Sequence, residues 1–440
     1  MKTLKDTKEI LFYSKEGVYR LGGEEIVEQT VRTQIDRNIS RHDLNEILYY
    51  IQTSTYTDRA DFDKDINILN VRNGLLNIET GEFLPHNPAY LSMTQLPVTY
   101  DLKATCPNIM KFLTTTLDSA QLRVVVRLFG YLLLRSARYE KAFMLNGEGG
   151  NGKSVFIKLL VALVGKDKTS NVSLQELTTD RFASSKLYGK MLNVFADLRS
   201  DRITDSGYFK VLVSGDRIMA QRKHQEPFEF ENTAKLVFSA NQIPETDDKS
   251  HAYFRRWVII PFNRTFEGVA RDEQLIDKLT TENELSGLLN VALVGLKRLK
   301  EERGFDDTDL DEIRRQYELG ATKIQGFFDE CCILDPENED LQIMTLDLQE
   351  ALAKYCEQKG SKYVDIRQFG EKLKALGVRR ERKRKGAERP YFYFGIALKP
   401  NCPYVPNKSL TTGYNGNYTR KEGCLSIGTQ DQQTLGGVSA

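Results

Sequence analysis

The stretch Gly147-Glu148-Gly149-Gly150-Asn151-Gly152-Lys153-Ser154 decides how the rest of this chain is interpreted. It fits the pattern G-x-x-x-x-G-K-[ST], in which glycines let successive backbone N–H groups turn toward one anion. An apolar run at 142–145 precedes this stretch, and a second apolar run at 155–160 follows it. The order predicts a buried strand, a phosphate-binding loop and a helix whose N-terminus faces the phosphates.

This loop predicts that a nucleoside triphosphate and Mg²⁺ are cofactors. Lys153 would reach the β- and γ-phosphates, and the Ser154 hydroxyl would ligate Mg²⁺. The candidate nucleotide-binding residues are Gly147, Gly149, Gly150, Asn151, Gly152, Lys153 and Ser154.

Composition and charge describe an ordinary globular chain with one unusual segment. The 440 residues suggest about three domains, and the formal net charge is only +1. Seven basic and two acidic residues lie within 379–389, so this segment alone carries +5. The asymmetry indicates a local site for a polyanion rather than a basic protein throughout.

The cysteines and the N-terminus point to an ordinary intracellular chain. Six cysteines without C-x-x-C spacing and four scattered histidines give no zinc-site pattern. The N-terminal segment MKTLKDTKEI has no apolar signal core, and apolar stretches such as 288–296 are too short to span a bilayer. We therefore expect reduced thiols, a cytoplasmic location and no membrane partner.

Apolar patterns divide the chain into four parts. Turn signals and helical spacings in 1–118 predict a small α+β domain, and short apolar strands alternating with helices in 119–318 predict an α/β core with a largely parallel sheet. Residues 321–400 show the order helix, helix, basic hairpin and strand, which is that of a winged helix. The polar residues of 404–440 predict a disordered tail.

Polar residues follow two apolar strands of the predicted core. Asp197 follows the strand at 192–196 and could hold Mg²⁺, although strands often end in aspartate. Asn241 follows the strand at 235–240 and could orient the attacking water, or could act only as a turn former before Pro244.

A basic hairpin is predicted at 216–230. Arg222, Lys223 and His224 fall near its tip, where they could grip a phosphate backbone. The alternative is a solvated charged turn.

Two arginines precede the apolar strand at 257–261. Arg255 or Arg256 could reach a γ-phosphate in a neighbouring subunit and stabilise the charge of the transition state. The alternatives are packing against Trp257 and a structural ion pair.

Taken together, these elements resemble the superfamily 3 DNA helicases, above all the helicase part of phage and plasmid primase–helicases and of poxvirus-type replication NTPases. The residues that carry the resemblance are GEGGNGKS, Lys210 with Ser214-Gly215-Asp216, the basic hairpin, Asn241-Gln242-Ile243-Pro244, and Arg255-Arg256 before Pro261-Phe262. The stretches 73–81, 104–107 and 284–289 also look like the flanks of this ATPase.

The resemblance implies an α/β fold with a P-loop, AAA+-like helicase core, a preceding α+β domain and a following winged helix. It implies an ATP- and Mg²⁺-dependent helicase that forms a homo-oligomeric ring, a hexamer, on single-stranded and forked DNA. Unwinding would run 3′ to 5′ in the replication of a phage, plasmid or other mobile element, with primase and polymerase acting in trans.

The family's residue roles carry over to matching positions. Lys153 and Ser154 bind phosphate and Mg²⁺, Asp197 is the metal-side acid, and Asn241 senses the γ-phosphate. Arg256, or else Arg255, acts in trans, and Lys210 lies near the subunit boundary. The residues implied in DNA binding are Arg222, Lys223, His224, Arg379, Arg380, Arg382, Lys383, Arg384 and Lys385.

Two departures from the family stand out. Leu198 follows Asp197 where many relatives place a second acid, so the group that activates water is open. The chain is also too short for the primase domain that many relatives carry. Asp61-Phe62-Asp63 has the D-x-D form of a polymerase metal site but is expected to be a surface turn.

Two other function classes compete with a helicase. One is an origin-binding initiator or loader that uses ATP for assembly without processive unwinding. The other is a P-loop kinase or metabolic ATPase, against which the basic hairpin and the basic run argue.

Overall fold

The computed structural model divides into two compact units, Met1–Tyr317 and Glu318–Ala440. It describes the whole chain except residues 148–149, 200–202, 204, 242, 245, 247, 249, 265, 267–273, 306–322, 339, 359–362, 384–388, 400–401, 405–419, 422–423 and 427–440.

Short strands and three helices form the N-terminal part of the first unit. The strands pair as one sheet of order β3-β2-β1-β4 and a second of order β5-β6-β7. The elements are β1 (Lys2–Leu4), β2 (Ile10–Tyr13), β3 (Tyr19–Leu21), α1 (Gly23–Gln34), α2 (Arg41–Ser54), β4 (Tyr56–Thr57), β5 (Ile68–Val71), β6 (Gly74–Asn77), β7 (Phe83–Leu84) and α3 (Pro107–Thr116).

The rest of the first unit alternates strands and helices. Its elements are α4 (Ser119–Leu132), β8 (Ala142–Asn146), α5 (Lys153–Val164), β9 (Thr169–Ser170), α6 (Leu174–Thr179), β10 (Leu192–Phe195), α7 (Ser206–Ser214), β11 (Arg217–Ala220), β12 (Phe228–Glu231), β13 (Lys235–Ala240), α8 (His251–Phe254), β14 (Trp257–Pro261), α9 (Leu275–Leu279) and α10 (Glu282–Glu301).

Five of these strands form one sheet of order β14-β8-β13-β10-β9, and every pairing in it is parallel. The predicted α/β core with a parallel sheet is therefore confirmed. If the five strands are numbered 1 to 5 in the order in which they occur in the chain, their order across the sheet is 5-1-4-3-2. The fourth strand, β13, therefore lies between β8 and β10. All carboxyl ends of these strands meet at one edge of the sheet.

Alternating side chains place the sheet between two apolar layers. In β8, Phe143 and Leu145 join the layer built by α4, α5 and α10. Ala142 and Met144 join the opposite layer, which α7 and the hairpin β11–β12 complete. This alternation follows from the two-residue period of a strand, and burial on both faces explains the continuous apolar runs.

Glycines allow the closest helix contact in the first layer. A Cβ added at Gly295 of α10 would lie 1.9 Å from the Val126 carbonyl oxygen, and one at Gly130 of α4 would lie 2.2 Å from the Leu296 nitrogen. Only glycine permits backbones to approach so closely. The two helices are thereby fixed behind the sheet.

Asp63 of the D-x-D sequence has a structural role. Its Oδ1 lies 3.0 Å from Arg135 Nη1 and accepts a hydrogen bond of 2.7 Å from Ser92 Oγ. The Arg135 Nη2 also donates to the Asp65 carbonyl at 2.8 Å. Asp63 therefore ties the N-terminal part to the core instead of facing solvent as in the expected surface turn.

The second unit packs helices against short antiparallel strands. β16, β19 and β18 form a three-stranded sheet in that order, and Leu348, Phe369 and Leu373 are fully buried beside it. The elements are α11 (Lys323–Cys331), β15 (Cys332–Leu334), β16 (Gln342–Met344), α12 (Thr345–Gln358), β17 (Tyr363–Asp365), α13 (Ile366–Ala375), β18 (Arg379–Arg382), β19 (Tyr391–Phe394), β20 (Ile396–Leu398), β21 (Arg420–Lys421) and β22 (Cys424–Ser426).

The C-terminal segment differs from the expected disordered tail over short stretches. β22 pairs antiparallel with both β17 and β21, so backbone hydrogen bonds order residues whose composition is that of a coil. Tyr404 is buried, and its ring packs edge to face against that of Tyr355, with 5.5 Å between the ring centres. The rest of 404–440 lies outside the described residues.

Where the structure is described, no helix combines the length and the apolar character needed to cross a membrane.

Lys235 at the start of β13 predicts a pH dependence of stability. Burial, with the charge of Arg135, lowers the pKa of Lys235 from 10.5 to about 7. Between these values the unfolded chain holds a proton that the native chain has released. The free energy of unfolding is therefore expected to rise by about 1.4 kcal/mol per pH unit above pH 7.

Denaturant unfolding of the wild type and of Lys235→Met between about pH 7 and pH 9 measures this slope. The variant should lack the part of the slope that Lys235 contributes. Equal slopes for the two proteins would contradict the assignment.

Candidate active site

The glycine-rich loop between β8 and α5 is held in one shape by close backbone contacts. Gly150 and Gly152 have φ angles of 75° and 89°, which favour glycine. A Cβ at Gly147 would lie 2.4 Å from the Phe262 carbonyl oxygen. The buried Asn151 donates from Nδ2 to that same carbonyl at 2.9 Å, so the loop is anchored to the end of β14.

Lys153 begins α5, and its side chain folds back into the loop. Its buried ammonium donates to the Gly147 carbonyl, to Asn151 Oδ1 at 3.2 Å and to Asn241 Oδ1 at 3.3 Å. The structure thus brings together Lys153 and Asn241, which are 88 residues apart in the sequence.

Asp197 and Asn241 follow neighbouring strands of the sheet. Phe195 of β10 is paired with Phe238 of β13, and the Leu198 N–H donates to the Ser239 carbonyl at 2.8 Å. Asp197 therefore lies beside the last residues of β13. Because β13 separates β10 from β8, Asn241 rather than Asp197 follows the strand next to the loop.

The side chains proposed to meet a ligand are accessible. Ser154, Asp197 and Asn241 are all exposed at the carboxyl edge of the sheet. Gly149 lies outside the described residues. The helix α5 begins at the loop, so its N-terminal N–H groups favour an anion here.

Two polar residues at this edge were not singled out from the sequence. Asn146 Oδ1 and Ser239 Oγ, at the ends of β8 and β13, are buried and have no hydrogen-bond partner among the described residues. Buried polar atoms usually have partners. Each of the two atoms is free to bind a polar ligand, a metal ion or water. The signal in the sequence is a polar residue in the last two positions of an otherwise apolar strand.

The two arginines differ in exposure. Arg255 forms an ion pair with Glu140 at 2.6 Å, and its side chain is 40 % exposed. Arg256 is buried and donates to Ser214 Oγ at 2.7 Å and to the Ala252 carbonyl at 2.5 Å. Burial and the charge of Arg255 lower the pKa of Arg256. Of the two, only Arg255 is placed to reach outward.

The basic hairpin is a separate two-stranded sheet with an exposed tip. Arg217 of β11 pairs with Glu231 of β12, and the tip contains Arg222, Lys223 and His224, all exposed. The Arg222 guanidinium lies 5.3 Å from the Phe228 ring centre and 5.7 Å from that of Tyr188. His224 has a φ of 64°, an uncommon conformation for a non-glycine residue.

The basic run of the second unit forms β18, an exposed edge strand. The guanidinium groups of Arg380 and Arg382 lie over the Tyr391 ring at 4.4 and 4.8 Å. Arg379, exposed on the same strand, lies 3.9 Å from Glu381. Lys383 follows, with Nζ 2.5 Å from Gln342 Oε1. Arg384 and Lys385 lie outside the described residues.

Comparisons with known proteins agree with this fold. Residues 7–118 match the family model "D5 N terminal like", and residues 145–256 match a family of unknown function, DUF5906. The chain is 24% identical over 224 residues to a protein of Acanthamoeba polyphaga mimivirus named "Putative helicase". It is 24% identical over 247 residues to a protein of Invertebrate iridescent virus 6 with the same designation.

A solved structure resembles nearly the whole chain. The apo structure of the NrS-1 C-terminal region aligns with a TM-score of 0.50 at 15% identity, and the alignment covers 90% of this chain and 95% of that one. The chain is similar to phage and viral proteins of the primase–helicase type. The resemblance seen in the motifs is thereby confirmed at this level.

The chain matches only part of the length of these two curated relatives. The matches cover 47% and 49% of the chain but only 23% and 24% of the two viral proteins.

Proposed function

We propose that this chain is an ATP-dependent DNA helicase of superfamily 3, which forms a ring and unwinds duplex DNA 3′ to 5′ in the replication of a phage, plasmid or other mobile element. One observation carries the proposal. Lys153, Asn241 and Asp197 come from distant parts of the sequence and converge at the carboxyl edge of a 5-1-4-3-2 parallel sheet.

The residues at this edge fit ATP with Mg²⁺. ATP supplies the phosphoanhydride bond whose hydrolysis drives the work. Lys153 binds the β- and γ-phosphates as a cation, and the loop amides donate to phosphate oxygens. Ser154 and Asp197 offer the oxygen ligands that Mg²⁺ prefers. The Asn241 amide, beside Lys153, orients the attacking water.

The exposed position of Arg255 supports ring formation. An arginine that stabilises transition-state charge in a neighbouring subunit must extend beyond the surface of its own subunit. We assign this trans role to Arg255, since Arg256 is buried and bonded to Ser214 and Ala252. This reverses the order favoured by the motif alone. A head-to-tail contact repeated by rotation closes into a ring, proposed to be a hexamer.

The hairpin and the second unit supply two DNA-binding surfaces. Lys223 and His224 at the hairpin tip would contact single-stranded DNA in the channel. In the second unit, β16 precedes the helices α12 and α13, with only the short β17 between them, and β18 and β19 follow. This order and the sheet order β16-β19-β18 support a winged helix. Its basic strand, with Arg380 and Arg382 over Tyr391, suits a phosphate backbone.

Strand displacement tests the proposal. Wild-type protein with ATP and Mg²⁺ is expected to release a labelled strand from a forked DNA with a 3′ tail, and Lys223→Ala is expected to lose this activity while still binding duplex DNA. Lys297→Ala, an exposed lysine on α10, is the matched control and should unwind as the wild type does.

The same experiment decides between a helicase and an initiator or loader. Wild-type protein that hydrolyses ATP on DNA but never separates strands would make assembly at an origin the better function. Displacement that persists in Lys223→Ala would remove the hairpin from the mechanism.

A further inference from the structure

Two segments of the core start at the proposed nucleotide residues and contact each other through several of their described residues. The first leads from Asp197 through α7 to the basic hairpin. The second leads from Asn241 through α8 to Arg256. They are joined at their start, where Ile203 and Thr246 form an isolated parallel bridge.

Polar contacts continue this junction along one face of α7. Ser206, Lys210 and Ser214 recur at intervals of four residues and therefore lie on one side of the helix. Asp248 Oδ2 accepts from Ser206 Oγ at 2.7 Å and from Lys210 Nζ at 2.9 Å. Ser214 Oγ accepts from Arg256 Nη2 at 2.7 Å. We call these five residues the polar seam.

The charge of Asp248 is firmly maintained. Burial of its carboxyl opposes ionisation, but hydrogen bonds from Ser250, Lys210 and Ser206 outweigh it and hold the pKa well below its usual range. Its Oδ1 also accepts from the Ser250 N–H at 2.9 Å, at the cap of α8. The pair with Lys210 is therefore present throughout the neutral range.

A neighbouring face of α7 is apolar. Phe209, Leu212 and Val213 are buried in the apolar layer under the sheet, and Phe209 stacks on Trp257 at 4.7 Å with an angle of 12° between the rings. A partly buried ion pair adds little stability compared with apolar packing but fixes one register between the elements it joins. The seam is thus suited to hold α7 in one position against the second segment.

We propose that the polar seam transmits the state of the nucleotide site to the basic hairpin, with Asp248 and Arg256 as positioning residues. The proposal rests on the proposed function. When nucleotide binding shifts Asn241 and the segment that follows it, the bonds of Asp248 and Arg256 to α7 move this helix in the same direction. Because α7 leads through Gly215 directly into β11, the hairpin tip moves as well. Arg256 therefore acts within its own subunit, whereas Arg255 acts in trans.

Trp257 provides the measurement, because it is the only tryptophan of the chain. A shift of α7 against the sheet changes the stack of Phe209 on Trp257 and hence the tryptophan fluorescence. A non-hydrolysable ATP analogue is expected to change this fluorescence in the wild type. In Asp248→Asn and in Ser214→Ala the change should fall at least fivefold, at an unchanged affinity for the analogue.

Asp277→Asn, an exposed aspartate on α9, is the matched control and should respond as the wild type does. A full response in both seam variants, or none in the wild type, would overturn the proposal. Thermal melting checks that the variants fold. If Asp248→Asn does not fold, Ser214→Ala, which deletes only one hydroxyl, still tests the proposal.

The measurement separates this proposal from the proposed function because it requires only nucleotide binding. Strand displacement is recorded in parallel. A wild type that responds to the analogue but does not unwind would refute the helicase and leave the seam standing. A wild type that unwinds, with seam variants that respond and unwind equally well, would refute the seam alone.

Discussion

Lys153→Ala is expected to lower ATP turnover at least about 10²-fold, which corresponds to about 2.7 kcal/mol of transition-state stabilisation. The Lys153 ammonium is buried at the loop and bonded to Gly147, Asn151 and Asn241. Alanine removes the positive charge from the place where negative charge grows during phosphoryl transfer. Steady-state phosphate release with saturating ATP and Mg²⁺ measures the loss.

The control for this variant lies on the same helix. Lys158→Ala removes an exposed lysine of α5 outside the loop and should retain the wild-type rate. Melting temperatures close to that of the wild type would show that both variants fold. Undiminished turnover by Lys153→Ala would remove the loop from the active site.

Arg255→Ala is expected to lower hydrolysis about 10³-fold while the affinity for ATP stays near that of the wild type. The reason is that Arg255 would meet the γ-phosphate of the neighbouring subunit only in the transition state. Arg298→Ala, an exposed arginine on α10, is the matched control. Normal hydrolysis by Arg255→Ala would contradict the trans role.

Mixing inactive subunits tests whether Arg255 acts in trans. When Arg255→Ala and Lys153→Ala subunits are combined in equal amounts, about one interface in four of a head-to-tail ring pairs an intact Lys153 with an intact Arg255. Hydrolysis should reappear in the mixture. If the mixture of the two inactive proteins remains inactive, Arg255 acts on the nucleotide bound by its own subunit.

Much of the fold was predictable because its signals are local. The apolar runs on either side of the loop and the short apolar strands that alternate with helices in 119–318 each depend on residues close in sequence. The parallel α/β core was predicted on these grounds and is confirmed. The strand at 424–426 was not predicted, because its order comes from pairing with β17, which is distant in sequence.

The site shows a similar division. The sequence motifs named Lys153, Asp197 and Asn241, whereas Asn146, Ser239 and Asp248 were not singled out. Asn146 and Ser239 stand out because their side-chain atoms are buried without a partner among the described residues, and Asp248 stands out because it bonds to a residue of another segment. The order of preference between Arg255 and Arg256 likewise depends on which side chain is buried, and adjacent identical residues carry no sequence signal for that.

By itself, the sequence determined the glycine loop, the strand–loop–helix unit around it, the basic hairpin and the parallel α/β class, because backbone conformation and apolar periodicity depend on neighbouring residues. Only the tertiary structure decided that β13 lies between β8 and β10 and that Arg256 points inward. It alone aligned α7 with the segment from Asn241 to Arg256. Parallel strands pair through backbone groups common to all residues, so their order is set by how the whole core packs.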